Sequence, residues 1–245
     1  MLGLIAGTGF YNWEALENQR ERDISTPYGK AVVFEGEVQT SEGRKPMVFL
    51  PRHARNHSIP PHLINYRANI YALHRLGVDK IIAINAVGSL VREVAPGSIV
   101  LIDDLLDFTY GREHTFFKGG ADGVQHTDMT DCYAKDWQQE IKAAAAAAGV
   151  PLREGGVYVC VQGPRFETRA EVRMFGQLGG TVSGMTGAPE CVLANELGIK
   201  YGGLSMVTNY ACGLAETVSD DEVRQVMNAN SQRLAAILLQ LIERY

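Results

Sequence analysis

Hydrophobic positions along the chain keep two rhythms in alternation. Short runs rich in β-branched residues, LGLIAG, AVVFEGEV, PMVFLP, KIIAINAVG, SIVLIDD, GGVYVCV, GTVSGM and YGGLSMVTN, predict strands. Between them, amphipathic or Ala/Leu-rich stretches at residues 65–76, 136–148, 168–178, 189–197 and 220–244 predict helices. Gly77, Gly149, Gly179 and Gly198 fall where helices should stop, and Pro189 suits a first helical position, where its missing N–H is no loss. Strands and helices taken in turn are the pattern of an α/β fold on a central, largely buried sheet. No repeat or interdomain linker interrupts it, so residues 1–245 read as one domain. Residues 110–131, with several glycines, two histidines and two phenylalanines, form the longest stretch without either rhythm. Loops of that length usually carry function or touch a partner subunit.

Composition narrows the function more than the fold. A chain of 245 residues with 46% hydrophobic content can bury a full core. The net charge of −5, spread along the chain, gives no electrostatic reason to expect nucleic acid, although a small anion needs only one local cationic pocket. Cys132, Cys160, Cys191 and Cys212 lack CxxC spacing, which argues against structural zinc and against a stapled secreted scaffold. They read as reduced thiols of a cytoplasmic protein. The N-terminal MLGLIAGTGF has no basic flank and breaks at glycine, so it reads as a first strand and not as a signal peptide or a membrane span.

In open α/β sheets, ligands collect at the carboxyl ends of strands. After the first strand, Gly7-Thr8-Gly9 offers backbone N–H groups and one hydroxyl, which fits either a tight turn or a phosphate cradle. It is not a dinucleotide fingerprint or a P-loop. PRHARNHSIPP follows another strand, and there Arg52 can fork onto phosphate oxygens while His53 adds a donor. His53 and His57 have the i, i+4 spacing of a zinc pair, but flanking prolines disfavour a helix and no third ligand is evident, so no metal is expected. In GMTGAPE, Met185 and Thr186 precede a helix whose N-terminus favours an anion, although a plain N-cap explains Thr186 as well. In VTNYACG, Asn209 ends a buried strand, either to satisfy its own turn or to hold a ligand.

These segments together carry a resemblance. GTG, PRHARNHSIPPHLINYRANIYAL, NAVGSL, GPRFETRAE, GMTGAPE and VTNYACG occur in the order seen in the trimeric purine nucleoside phosphorylases, and most nearly resemble the methylthioadenosine phosphorylase branch. The match runs through nearly the whole chain. It implies a single domain with a mixed, partly barrel-like sheet surrounded by helices, and phosphorolysis of an N-glycosidic bond without metal or organic cofactor, inorganic phosphate being a co-substrate. It also implies phosphate at Thr8, Arg52, His53 and Thr186, ribose against Met185, and the base under Phe166. Asn209 and His53 would be catalytic.

The base positions depart from that branch, which has two aspartates in the strand written here Asn209-Tyr210-Ala211 and a serine where this chain has Glu167. Adenine offers an amino donor and an N1 acceptor, whereas a 6-oxopurine reverses both. Asn209 can donate to O6 or N7 and Glu167 can accept from N1–H, while Ala211 marks the loss of a carboxylate. At the 5′ end the resemblance points to Val218, Asp220 and Val223, with His126 from a neighbouring subunit of a homotrimer. Asp220 stands where an apolar residue would suit a methylthio group. The combined expectation is phosphorolysis of S-methyl-5′-thioinosine to hypoxanthine and 5-methylthioribose 1-phosphate in purine salvage. The alternatives are an inosine/guanosine or methylthioadenosine phosphorylase and, more remotely, a nucleoside hydrolase or a non-catalytic nucleoside-binding protein. No nucleic-acid or membrane partner is expected.

Overall fold

The computed structural model describes residues 1–7, 10, 13–120, 123–215 and 217–245. Among them, nine strands form one mixed sheet: β1 (Leu2–Ala6), β2 (Glu17–Thr26), β3 (Gly29–Thr40), β4 (Gly43–Pro51), β5 (Lys80–Ser89), β6 (Ile99–Asp107), β7 (Arg153–Cys160), β8 (Val182–Gly184) and β9 (Lys200–Tyr210). The helices around it are α1 (Tyr66–Arg75), α2 (Lys135–Ala147), α3 (Arg169–Gln177), α4 (Gly187–Glu196) and α5 (Asp220–Arg244). The strand order is β2-β3-β4-β1-β5-β8-β7-β6-β9, and β9 returns to pair in parallel with β5. Strands β5, β8, β7, β6 and β9 therefore close on themselves, while β1 to β4 extend the sheet from the side of β5. This is the expected α/β fold with a partial barrel.

The central strand shows why the sequence folds this way. Along β5, Ile81 and Ala83 face one apolar layer with Leu73 of α1 and Leu193 of α4. Ile82 and Ile84 face the other, with Trp137 of α2 and Leu238 of α5. A strand buried on both faces reads as an unbroken apolar run, as KIIAINAV does. The helices lie within a residue or two of their predicted places, and the four stop glycines all take positive φ, where glycine carries no Cβ penalty. Helix α4 starts at Gly187, earlier than Pro189 suggested. Pro189 still falls in the first turn, where its nitrogen would have no helical partner.

Strand β2 is absent from the sequence expectation. Its ENQRERDIST run buries only Ile24, so no alternation of apolar residues announces it. It pairs antiparallel with β3 at the sheet edge, with Arg22 and Glu35 in an ion pair at 2.8 Å. A charged edge also discourages pairing with other chains. The described residues of segment 110–131 contain no α-helix or strand. Glu196 anchors the start of that segment by accepting from Thr115 Oγ1 at 2.6 Å and from the Phe116 N–H at 2.7 Å. Among the described residues no helix is long and apolar enough to cross a membrane.

Candidate active site

The carboxyl ends of β1, β4, β5, β8 and β9 open onto a cavity of about 420 Å³. Arg52, His53, Phe166, Glu167, Met185, Thr186, Asn209, Asp220 and Val223 all reach its wall, although they come from five separate stretches of the chain. Ala211 does not reach it. That side chain is 1% exposed and packs with Leu90, Val159 and Val161, behind the cavity residue Gly88. Val218 is half-buried off the wall, on the approach to α5, and His126 is exposed on the surface of its own chain. Thr8 lies outside the described residues.

At one end the structure reassigns the cation. Arg52 is 3% exposed, and its fork is taken by Glu190: Nε donates to Oε1 at 2.6 Å and Nη2 to Oε2 at 2.9 Å. Nη1 donates to the Ile84 carbonyl at 2.7 Å. Three of the five guanidinium N–H groups are thus committed, which leaves two for a ligand. Burial alone would lower the pKa of Arg52, but the Glu190 carboxylate more than offsets it, so the guanidinium stays charged.

His53 differs from its expected part as a donor. Nδ1 lies 2.8 Å from the Ile59 carbonyl, which can only accept, so Nδ1 carries the proton. Burial, and after it the charge of Arg52, bring the imidazole down to about 4. At neutral pH Nε2 is therefore a bare acceptor beside Gly7, where a Cβ would come within 3.1 Å of the ring. The His53 and His57 rings sit 4.6 Å apart, and among the described residues no three His, Cys, Asp or Glu side chains gather to hold a metal.

Thr186 is the N-cap residue of α4 but makes no side-chain cap bond. Its Oγ1 accepts from Asn85 Nδ2 at 3.0 Å, which leaves the hydroxyl proton to donate. The Thr186 and Gly187 N–H groups both donate to the buried Tyr158 hydroxyl at 3.3 Å. The helix end expected to meet an anion is thus occupied from within the protein, and the Thr186 hydroxyl is what it offers the cavity.

The opposite end is built by a β-bulge. Val87 pairs with Val207 and Gly88 with Asn209, so Thr208 is an extra residue on β9. Such a bulge re-aims side chains, and here consecutive residues Thr208 and Asn209 both face the cavity. The amide of Asn209 is fixed, because Oδ1 accepts from Thr208 Oγ1 at 2.8 Å and Nδ2 donates to the Tyr210 carbonyl at 2.9 Å. One Nδ2 N–H remains for a ligand. Glu167, half-buried, accepts from the Ser183 hydroxyl, which orients the carboxylate and leaves acceptor capacity toward the cavity. Phe166 flanks it at 37% exposure. A third region carries His57, Asp220 and Val223, with Asp220 ion-paired to Arg224 at 2.8 Å.

Several residues that orient the site were given no part by the sequence. Glu190 is an acid inside the apolar GAPECVLA run that opens α4, and Asn85 is an amide inside an apolar strand. A polar residue in such a run needs a buried partner. That signal was present, although it names no partner. Tyr158 and Ser183 gave no comparable sign.

The phosphorylase superfamily model matches residues 1–243 of this chain. A protein of Moorella thermoacetica named as a probable 6-oxopurine nucleoside phosphorylase is 46% identical over 242 residues, 98% of this chain and 92% of its own length. A probable S-methyl-5′-thioinosine phosphorylase of Methanothermobacter thermautotrophicus is 46% identical over 240 residues, 97% of this chain and 82% of its own. Among solved structures, a double mutant of the adenosine/methylthioadenosine phosphorylase of Schistosoma mansoni in complex with adenine superposes with a TM-score of 0.90 at 32% identity, covering 98% of this chain and 90% of that one.

Proposed function

Because the chain belongs to the phosphorylase superfamily, we propose that it is a 6-oxopurine nucleoside phosphorylase acting on S-methyl-5′-thioinosine and inorganic phosphate, with hypoxanthine and 5-methylthioribose 1-phosphate as products. The observation that carries the choice of base is the joint presence of Asn209 and Glu167 on one cavity wall, each held in a single orientation by a neighbour. Asn209 presents N–H where O6 or N7 accepts. Glu167 presents oxygen where N1–H donates. The relatives from Moorella and Methanothermobacter, whose names specify a 6-oxopurine or methylthioinosine, support the same polarity.

The chemistry then balances without a cofactor. Monohydrogen phosphate binds where Arg52, the Thr186 hydroxyl and His53 converge, with its P–OH donating to His53 Nε2. The glycosidic bond breaks with its electron pair moving to the purine, and a phosphate oxygen forms the new bond to C1′. Asn209 stabilises the negative charge that grows on the purine, as a preorganised donor does for an oxyanion. The sugar phosphate loses its P–OH proton to solvent while the leaving purine takes one up from solvent, so the proton count closes, and His53, uncharged at neutral pH, orients the phosphate by accepting from its P–OH. Holding the reactants in line supplies much of the acceleration.

In a direct assay, purified protein with methylthioinosine should release hypoxanthine only when phosphate is added. Release that proceeds equally without phosphate would point to a hydrolase, and no release at all to a binding protein. Asp220 on the distal wall favours a second substrate class, nucleosides with a 5′-hydroxyl that the carboxylate can accept from, so inosine belongs in the same assay.

We further propose a homotrimer in which the 110–131 segment brings His126 to a neighbour's cavity. In support, the described part of that segment leaves Tyr110 73% and Val124 78% exposed together with His126, side chains within reach of a neighbouring chain. Light scattering should give three times the chain mass, and an active monomer would exclude this arrangement.

A further inference from the structure

Arg112, between β6 and α2, is a buried cation that the reaction above does not use. All four of its terminal N–H groups are engaged. Nη1 donates to the Tyr66 hydroxyl at 3.0 Å and the Met185 carbonyl at 2.7 Å, and Nη2 donates to the carbonyls of Val161 at 3.4 Å and Gln162 at 2.6 Å. These acceptors are uncharged, and Nε is buried with no partner among the described residues. A buried charge without a counter-ion is unfavourable, so a purely space-filling role would be better served by an apolar residue. A rigid planar fork, however, can tie several separate carbonyls at fixed distances, which neither an apolar residue nor lysine can do.

The segments it ties are walls of the cavity. Met185 lies on the wall, and Gln162 leads through Gly163 to Pro164, Phe166 and Glu167, which also lie on it. The Tyr66 hydroxyl donates onward to the carbonyl of Pro61, a third wall residue, at 2.8 Å. These walls meet at Gly163, where φ is +59° and a Cβ would come within 2.6 Å of Met185 Sδ and 3.4 Å of Pro61 Cγ. Nothing at that junction can shift without changing the gap between Met185 and the segment that carries Phe166 and Glu167. The phosphate side has further holds of its own: Thr186, whose N–H shares a peptide plane with the Met185 carbonyl, is also tied by Asn85 and Tyr158.

We propose that Arg112 is a positioning residue for the nucleoside, setting the separation of the Met185 wall from the Phe166–Glu167 wall and thereby the fit of sugar and base. The proposal rests on the phosphorolysis reading, which the unaltered enzyme tests by its own activity. Arg112 is tested by the ratio of variant to unaltered enzyme. Arg112→Ala is expected to lower kcat/KM for the nucleoside about 10²-fold, the scale of a misplacement of about 1 Å, while KM for phosphate stays within about threefold. Guanidinium ion at a concentration well below denaturing should restore part of the loss in Arg112→Ala. Arg112→Lys keeps the charge and loses the fork, so it should be nearly as impaired as the alanine variant, and it decides the matter if the alanine variant does not fold. Full activity in the lysine variant, equal changes in both Michaelis constants, or a loss of stability with unchanged kinetics in the folded fraction would each overturn the proposal.

Discussion

Replacing Glu190 with alanine is expected to destabilise the fold by about 3–5 kcal/mol and to remove most phosphate-dependent turnover from what remains folded. Glu190 and Arg52 both have side chains 2% exposed and meet through two charged hydrogen bonds, of 2.6 and 2.9 Å. Tyr201, itself buried, donates to the same carboxylate at 2.8 Å. Alanine would leave the Arg52 guanidinium without its counter-charge and the buried Tyr201 hydroxyl without its acceptor. The functional loss has a separate cause: Arg52 freed from Glu190 would swing its fork away from the position that leaves two N–H groups facing phosphate. Denaturant unfolding and the phosphate KM read the two effects apart. In the double variant Arg52→Met, Glu190→Leu, stability should largely return because both charges go together, while phosphate use should not. If Glu190→Ala unfolds at the denaturant concentration of the unaltered protein and keeps its phosphate KM, the ion pair has neither role.

The same pair shows what the sequence could and could not convey. The strands and helices were legible because burial on two faces leaves long apolar runs, and Gly77, Gly149, Gly179 and Gly198 punctuate them. Strand β2 was illegible because an edge strand buries almost nothing, and only pairing with β3 defines it. In the site, Arg52, Thr186, Glu167 and Asn209 were visible as polar groups at strand ends. Their partners were not. Arg52 and Glu190 are 138 residues apart, and only the closed barrel tells which acid meets which base. The proton position on His53 depends on a carbonyl six residues on in an irregular loop, and spacing alone cannot give it. Ala211 shows the converse: the resemblance suggested a place on the wall, yet beyond the bulge the chain turns its methyl into an apolar cluster.

Selection of the base should respond most strongly to Glu167. In the unaltered protein, adenine would set its N1 lone pair against the carboxylate and its amino group against the N–H of Asn209, so two buried contacts would be mispaired at once. Sites that mispair buried polar groups discriminate by about 10⁴ or more. Methylthioinosine should therefore exceed methylthioadenosine in kcat/KM by a wide margin. Glu167→Gln is the sharpest probe, since the amide is nearly the same size and can present either an oxygen to N1–H or an N–H to N1. The Ser183 hydroxyl keeps an acceptor in the Gln oxygen, so the side chain stays in place. The variant should lose about 10²-fold on methylthioinosine, gain on methylthioadenosine, and bring the two within about tenfold of each other. Aspartate at Ala211 is a poor test by comparison, because a carboxylate there would enter the cluster of Leu90, Val159 and Val161 and cost folding energy instead of reading a base. Both nucleosides should be assayed under saturating phosphate, so that only the base differs. Equal cleavage of the two by the unaltered protein would mean that Asn209 and Glu167 do not set the polarity of the site, and an adenosine-type substrate would take the place of the 6-oxopurine.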